Sequence, residues 1–166
     1  MKKYVLPALI AVIIIQLSVP AYMITDKYYT LRTGEEFKFR VYPVDPYDAF
    51  RGRYVNLNAR QDSPGGGMYG VIAVERDGFA YIEKITDKKP QAVPYVKSGS
   101  RGWFAMPIDR YYMDEKLAPK AESLTRQNSQ NDNTYVTARV KNGKLVITGL
   151  FIDGMAIEDI IGSGVD

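Results

Sequence analysis

The chain has 166 residues, 46% hydrophobic and 25% charged, which leaves room for one ordinary domain and a small appendage. It contains neither cysteine nor histidine, which excludes a disulfide framework, a thiol nucleophile, a zinc ribbon, an iron–sulfur site and the usual general base near neutral pH. The formal charge of +3 is local in origin, because setting Lys2 and Lys3 aside leaves 20 basic against 19 acidic residues. They interleave along the chain, as in Lys38, Arg40, Asp45, Asp48, Arg51 and Arg53. Nucleic-acid binding needs positive charge gathered on one face, so no nucleic-acid partner is expected.

The first element runs from Tyr4 to Ile24, 21 residues without a charge. As a helix rising ~1.5 Å per residue this segment spans about 32 Å, enough to cross a bilayer core of ~30 Å. Tyr4 and Tyr22 flank it as interfacial anchors, and Pro20 is expected to bend or end the helix. Lys2 and Lys3 favour a cytoplasmic N-terminus, against the weaker pull of Lys27 and Arg32 on the other side. The rival reading is a secretory signal peptide cleaved at Val19-Pro20-Ala21. A retained anchor over residues 1–25 is preferred, because the apolar run continues past that point to Ile24. Both readings place residues 26–166 outside the cytoplasm.

The remainder reads as strands between turns. Glu36–Tyr42 alternates with Phe37, Phe39 and Val41 on one face, and Arg53–Arg60 alternates as well. Tyr69–Glu75 and Phe79–Ile85 flank Arg76-Asp77-Gly78; Tyr135–Lys141 and Lys144–Ile152 flank Asn142-Gly143, a type I′ signal. Arg101–Ile108 is a further candidate strand. Helix formers fill Met113–Gln127, and Pro119 makes the helix begin around Ala118 or else kinks it. Ser63–Gly67 and Gln127–Thr134 read as loops. The expected fold is mostly β, an antiparallel β sandwich or open barrel with one short helix, behind a single N-terminal transmembrane helix.

The most distinctive stretch is Tyr42-Pro43-Val44-Asp45-Pro46-Tyr47-Asp48-Ala49-Phe50-Arg51-Gly52-Arg53-Tyr54-Val55-Asn56-Leu57. It resembles the bacterial GDYXXLXY family, whose members carry a Pro-x-Asp-Pro turn, an Asp and a Phe-Arg-Gly before the naming motif. Gly52, Tyr54 and Leu57 match that motif; Arg53 stands where its Asp belongs and Ala59 where its last Tyr belongs. Arg110-Tyr111-Tyr112-Met113-Asp114-Glu115 is similar to an aromatic–acidic segment of the family. Val146–Gly154, ending in Phe151-Ile152-Asp153-Gly154, is similar to its terminal strand. The resemblance implies a membrane-anchored extracytoplasmic protein, often coded beside multi-pass membrane proteins, and implies no reaction.

The residues themselves read as structure, with a partner-binding surface as the alternative. Pro43 and Pro46 fix the backbone and end the first strand, and Asp45 opens a turn. Asp48 accepts backbone N–H bonds in a following turn or caps a short helical turn over Ala49–Arg51, Phe50 plugs the core, and Arg51 pairs with Asp45 or Asp48. Gly52 permits the reversal into Tyr54–Leu57.

A Ser–Lys dyad, from Ser63, Ser98 or Ser100 with Lys84 or Lys97, is the one nucleophilic scheme that composition readily permits. Glu83, Asp109, Asp114 and Glu115 offer carboxylates without a diagnostic spacing, and Asp45, Asp48 and Asp153 lack a calcium-loop pattern. Phe104, Tyr111 and Tyr112 around Trp103 read as core before they read as a sugar platform. No catalytic residue, cofactor or metal is assigned. The expected function is a non-enzymatic accessory protein held in the cytoplasmic membrane and partnering a membrane or envelope protein. The alternative is a membrane-anchored hydrolase, signal-peptidase-like or carboxylate-based.

Overall fold

The computed structural model describes residues 5–43, 54–59, 66–100, 104–108, 110–114, 117–127 and 133–163. Helix α1 covers Val5–Thr33 and contains Pro20, so the helix does not end there. Proline removes a single N–H from the ladder, and one lost bond does not end a helix whose other bonds remain. Hydroxyls also bond back to the helix: Ser18 to the Ile15 carbonyl, Thr25 to Ala21, Thr30 to Asp26 and Thr33 to Tyr29.

The helix passes directly into the domain. Gly34 N–H donates to the Thr30 carbonyl at 2.8 Å, and strand β1 (Glu35–Pro43) begins at the next residue. The other strands are β2 (Tyr54–Ala59), β3 (Tyr69–Val74), β4 (Ala80–Thr86), β5 (Tyr95–Lys97), β6 (Arg110–Tyr112), β7 (Thr134–Lys141), β8 (Lys144–Ile152) and β9 (Met155–Ala156). Helix α2 (Ala118–Gln127) lies between β6 and β7, and α3 (Ile157–Gly162) comes after β9.

Two antiparallel sheets result, one of order β6-β2-β1-β7-β8-β9 and one of order β4-β3-β5. The expectation of a mostly β, antiparallel architecture holds, and no closed barrel forms. Strand β7 shows why: buried and half-buried residues alternate without exception, with Thr134, Val136, Ala138 and Val140 facing inward. They meet Phe37, Phe39 and Val41 of β1 and Leu150 and Ile152 of β8, across from Ile72, Ile82 and Phe104. Phe39 is 2% exposed, and burying a side chain of that size contributes roughly 1.5–3 kcal/mol. The first sheet curls, so that β6, at one end of the strand order, lies against β8.

Both expected hairpins are present. Asn142 and Gly143 take φ of 52° and 81°, the type I′ pair that joins β7 to β8. Gly78 alone has positive φ in the β3–β4 turn, and Glu75 N–H bonds the Phe79 carbonyl across a three-residue loop. Helix α2 begins at Ala118, the first of the two arrangements that Pro119 permits, and Ala121 and Thr125 on its inner face are fully buried.

Arg101–Ile108 is corrected: residues 104–108 form no strand. Phe104, Met106 and Ile108 are buried in alternation, so the period is real but reports burial without a ladder. Strands β5 and β9 and helix α3 have no counterpart among the expected elements, and β6 appears where only an aromatic–acidic segment was expected.

Candidate functional site: the seam at β6 and the joint with α1

The two segments that stand out in the sequence are neighbours in space. Strand β2, which carries the naming motif, pairs with β1 and β6: Pro43 lies opposite Leu57, Tyr54 opposite Tyr112 and Val55 opposite Tyr111. Ala59 stands opposite Val41. Asp45, Pro46, Asp48, Phe50, Arg51, Gly52, Arg53 and Glu115 lie outside the described residues, and so do the expected turn, cap, core plug and Arg51 pairing.

Tyr111 and Tyr112 point to different surroundings, as alternation in a strand demands. Tyr112 is 68% exposed, whereas Tyr111 is half-buried and donates its hydroxyl to Glu158 Oε1 of α3 at 2.6 Å. Burial and then the Glu158 carboxylate push the Tyr111 hydroxyl well above the usual tyrosine range. It is therefore a fixed donor, a strut between β6 and the C-terminal helix. Glu158 does not stand out in the sequence, because the residues after Gly154 carry no motif and no period long enough to register.

Between β6 and β8 a groove of about 260 Å³ is lined by Tyr111, Tyr112, Pro107, Leu145, Val146 and Ile147, with Lys27 of α1 at its side. It is largely apolar, and among the described residues its one cation comes from the helix. Asp153 and Gly154, expected to end a terminal strand, instead form a second positive-φ turn, φ 51° and 83°, that reverses β8 into β9. Asp153 accepts a hydrogen bond from Asn133 Nδ2 at 2.6 Å.

The second feature has no counterpart among the expected sites. The last turns of α1 dock on the β7–β8 turn, where Lys144 forms an ion pair with Asp26. Lys141 Nζ donates to Thr33 Oγ1 at 2.7 Å and lies 4.4 Å from the Tyr29 ring centroid. Thr30 is 2% exposed, and a Cβ on Gly34 would press on the Thr30 and Val140 backbones. Asp26 holds the Lys144 ammonium above the usual lysine range. From the other side, Lys97 N–H donates to the Gly143 carbonyl at 2.8 Å, so the same turn ties β5 to the first sheet.

The other chemical candidates occupy structural positions where they are described. Ser98 Oγ accepts the Ser100 and Ala105 N–H groups and donates to the Ser100 carbonyl, bracing its loop. Phe104 is a core residue, and Glu83 and Asp114 are exposed. Ser63, Trp103 and Asp109 lie outside the described residues. No group of three metal-ligating residues occurs among the described ones.

Outside the joint, α1 is bare. The large apolar residues from Leu6 to Ile24 are exposed, and none of the membrane-length window is covered by the domain. The helix is long and apolar enough to anchor the chain in a membrane, and a signal sequence would have the same character.

No curated protein and no solved structure matches this chain. The GDYXXLXY protein family matches residues 16–150, from the middle of α1 through the joint, the motif strand and the seam into β8. It stops short of Glu158, so the α3 strut to Tyr111 lies beyond the matched span. With most of its length covered, and its motif strand placed beside the aromatic segment, the chain belongs to the GDYXXLXY family.

Proposed function

We propose that this protein is a non-enzymatic accessory protein, anchored in the cytoplasmic membrane by α1, whose β domain stands outside the cytoplasm and engages a multi-pass membrane or envelope protein. One observation carries the reading: α1 runs unbroken from its bare apolar length into the residues docked on the β7–β8 turn. No linker separates anchor from domain, so the domain is presented to a partner at a fixed attitude. A flexible tether would suit an enzyme sampling soluble substrates; a rigid stem suits a protein that must meet one partner in one geometry. Lys2 and Lys3 support the outward orientation of the domain.

The test is purification of the full chain from membranes in mild detergent, with cross-linking before extraction. Stoichiometric recovery of a membrane or envelope protein supports the proposal. Recovery as an isolated monomer counts against it. Labelling by a serine-reactive probe that disappears on replacing one serine would favour the hydrolase instead.

A further inference from the structure

We propose that the end of the domain around the β7–β8 turn is a docking surface for anionic lipid headgroups. The inference rests on the reading of α1 as a membrane anchor and adds a second contact with the bilayer, made by the β domain.

The charge pattern is the first observation. The chain as a whole is nearly neutral once Lys2 and Lys3 are set aside, yet lysines converge here from distant parts of the sequence. Lys89 and Lys141 line a groove of about 570 Å³ beside Asn142. Lys97 adjoins Gly143, with its Cβ 3.5 Å from where a Cβ on that glycine would sit. Lys144 flanks the turn on the helix side, and Lys27 of α1 comes directly after its partner Asp26 and lies beside Leu145. Exposed Lys27, Lys88, Lys89 and Lys97 have no carboxylate partner among the described residues. Elsewhere Arg40 is paired with Asp77 and Arg139 with Glu36, and the cations without a carboxylate partner among the described residues, such as Lys38, Arg76 and Lys84, are not gathered about one turn. Glu35, in the same groove, and exposed Asp87 offset only part of this excess.

The second observation is position. Thr25 is the last residue of the uncharged helical run, and the next, Asp26, is the one paired with Lys144. The turn therefore sits at the height where the apolar span ends. Asp26–Thr33 adds about 12 Å of helix, comparable to the ~8 Å over which charges act in physiological salt. Because the joint is rigid, these lysines stay within reach of a headgroup layer.

The third observation is the loop Pro90–Pro94. Ala92 is held at φ 60°, a conformation that costs a non-glycine residue energy, and Val93 is 46% exposed beside Lys88 and Lys89. An apolar tip between cations fits the interfacial layer of an anionic bilayer.

The absence of cysteine makes the test clean, since Val93→Cys accepts a single fluorophore. The full chain is reconstituted into phosphatidylcholine vesicles with or without phosphatidylglycerol, and energy transfer to headgroup acceptors is read. Transfer should rise with phosphatidylglycerol, fall in high salt, and return to the phosphatidylcholine level in a Lys88→Glu/Lys89→Glu/Lys97→Glu variant. A label at Met155→Cys, the first residue of β9, should respond to none of these. Transfer indifferent to headgroup charge or to the substitutions overturns the proposal, as does an equal response at both labels. Loss of a co-purifying protein in the triple variant, with lipid transfer unchanged, assigns the surface to a protein and also overturns it. Flotation with both vesicle types, without a headgroup response, sinks this inference alone. Failure to float with either removes the anchor reading and this inference with it.

Discussion

Two turns of this protein are built alike and placed differently. Asn142-Gly143 and Asp153-Gly154 each put a polar residue and a glycine at positive φ, and each closes an antiparallel pair. A Cβ on Gly143 would meet the Tyr95 ring at 2.7 Å, whereas a Cβ on Gly154 meets nothing within 4 Å. The first turn is a hub, bonded to β5 through its backbone and to α1 through its flanking lysines. The second is a bare reversal, held by Asn133 and by the short strand β9. Turn chemistry reports backbone geometry; the elements that lean on a turn are set by packing.

Gly143→Ala should be the most damaging change. Backbone strain of about 1–3 kcal/mol adds to overpacking against Tyr95 of similar size, for a total of roughly 2–6 kcal/mol. In a domain with ~5–15 kcal/mol of stability, that approaches unfolding. Chemical denaturation of the variant measures it. Asn at this position relieves the strain and not the clash, so Gly143→Asn should remain clearly destabilised. A full recovery with Asn would erase the contrast, by showing that the packing around the hub adds nothing to the backbone requirement both turns share.

The same contrast marks the limit of local sequence signals. Both β7 and β8 are legible, because alternation and Asn142-Gly143 agree over a long hairpin. Strand β6 is three residues long and β9 two, too short for a period to register. Asp153-Gly154 carries the same hairpin signal as Asn142-Gly143, yet it reads as a strand end because no long strand comes after it. The Tyr111–Tyr112 segment stands out through family resemblance, and its partner Glu158 does not, since a contact between residues 47 positions apart leaves no local mark. The joint is illegible for the same reason: Asp26 and Lys144 are 118 positions apart.

Tyr111→Phe comes next in expected effect. It removes a hydrogen bond to a half-buried carboxylate, which costs about 1–3 kcal/mol. The change releases α3 and so loosens the element beyond the bare turn. Its pH signature separates loss of the hydroxyl from loss of packing. The folded state holds the Tyr111 hydroxyl protonated above the usual tyrosine value, so this contribution is complete below that value and fades as pH rises above it. The gap between wild type and Tyr111→Phe in thermal unfolding should therefore narrow in alkali. A gap that stays constant with pH would leave ring packing as the whole effect.

Gly154→Ala should cost less, about 1–2 kcal/mol, because only the left-handed backbone opposes the methyl group. Gly154→Asn should restore most of that, since asparagine tolerates this region. Hydrogen exchange at Met155 and Ala156 is a local readout of the same change. If Gly154→Ala matched Gly143→Ala in denaturation, the far turn would carry a contact that its open surroundings do not provide.

The smallest effect belongs to the Lys144–Asp26 pair, although it sits at the hub. Water reaches both partners, and such pairs lose Coulomb energy to water and salt while two side chains lose freedom. The folded state raises the Lys144 pKa, chiefly through the hydrogen bond to Asp26. The stabilisation is therefore complete below the unfolded lysine value of about 10.4 and is lost as pH climbs through the folded one. Lys144→Gln should melt only slightly below the wild type at neutral pH. That difference should shrink in high salt and close in strong alkali. Gly34→Ala tests the other half of the joint, where close packing resists both salt and pH. If Lys144→Gln loosened the helix as much as Gly34→Ala did, judged by proteolysis between Asp26 and Gly34, the ion pair and not the packed glycine would hold α1 to the domain.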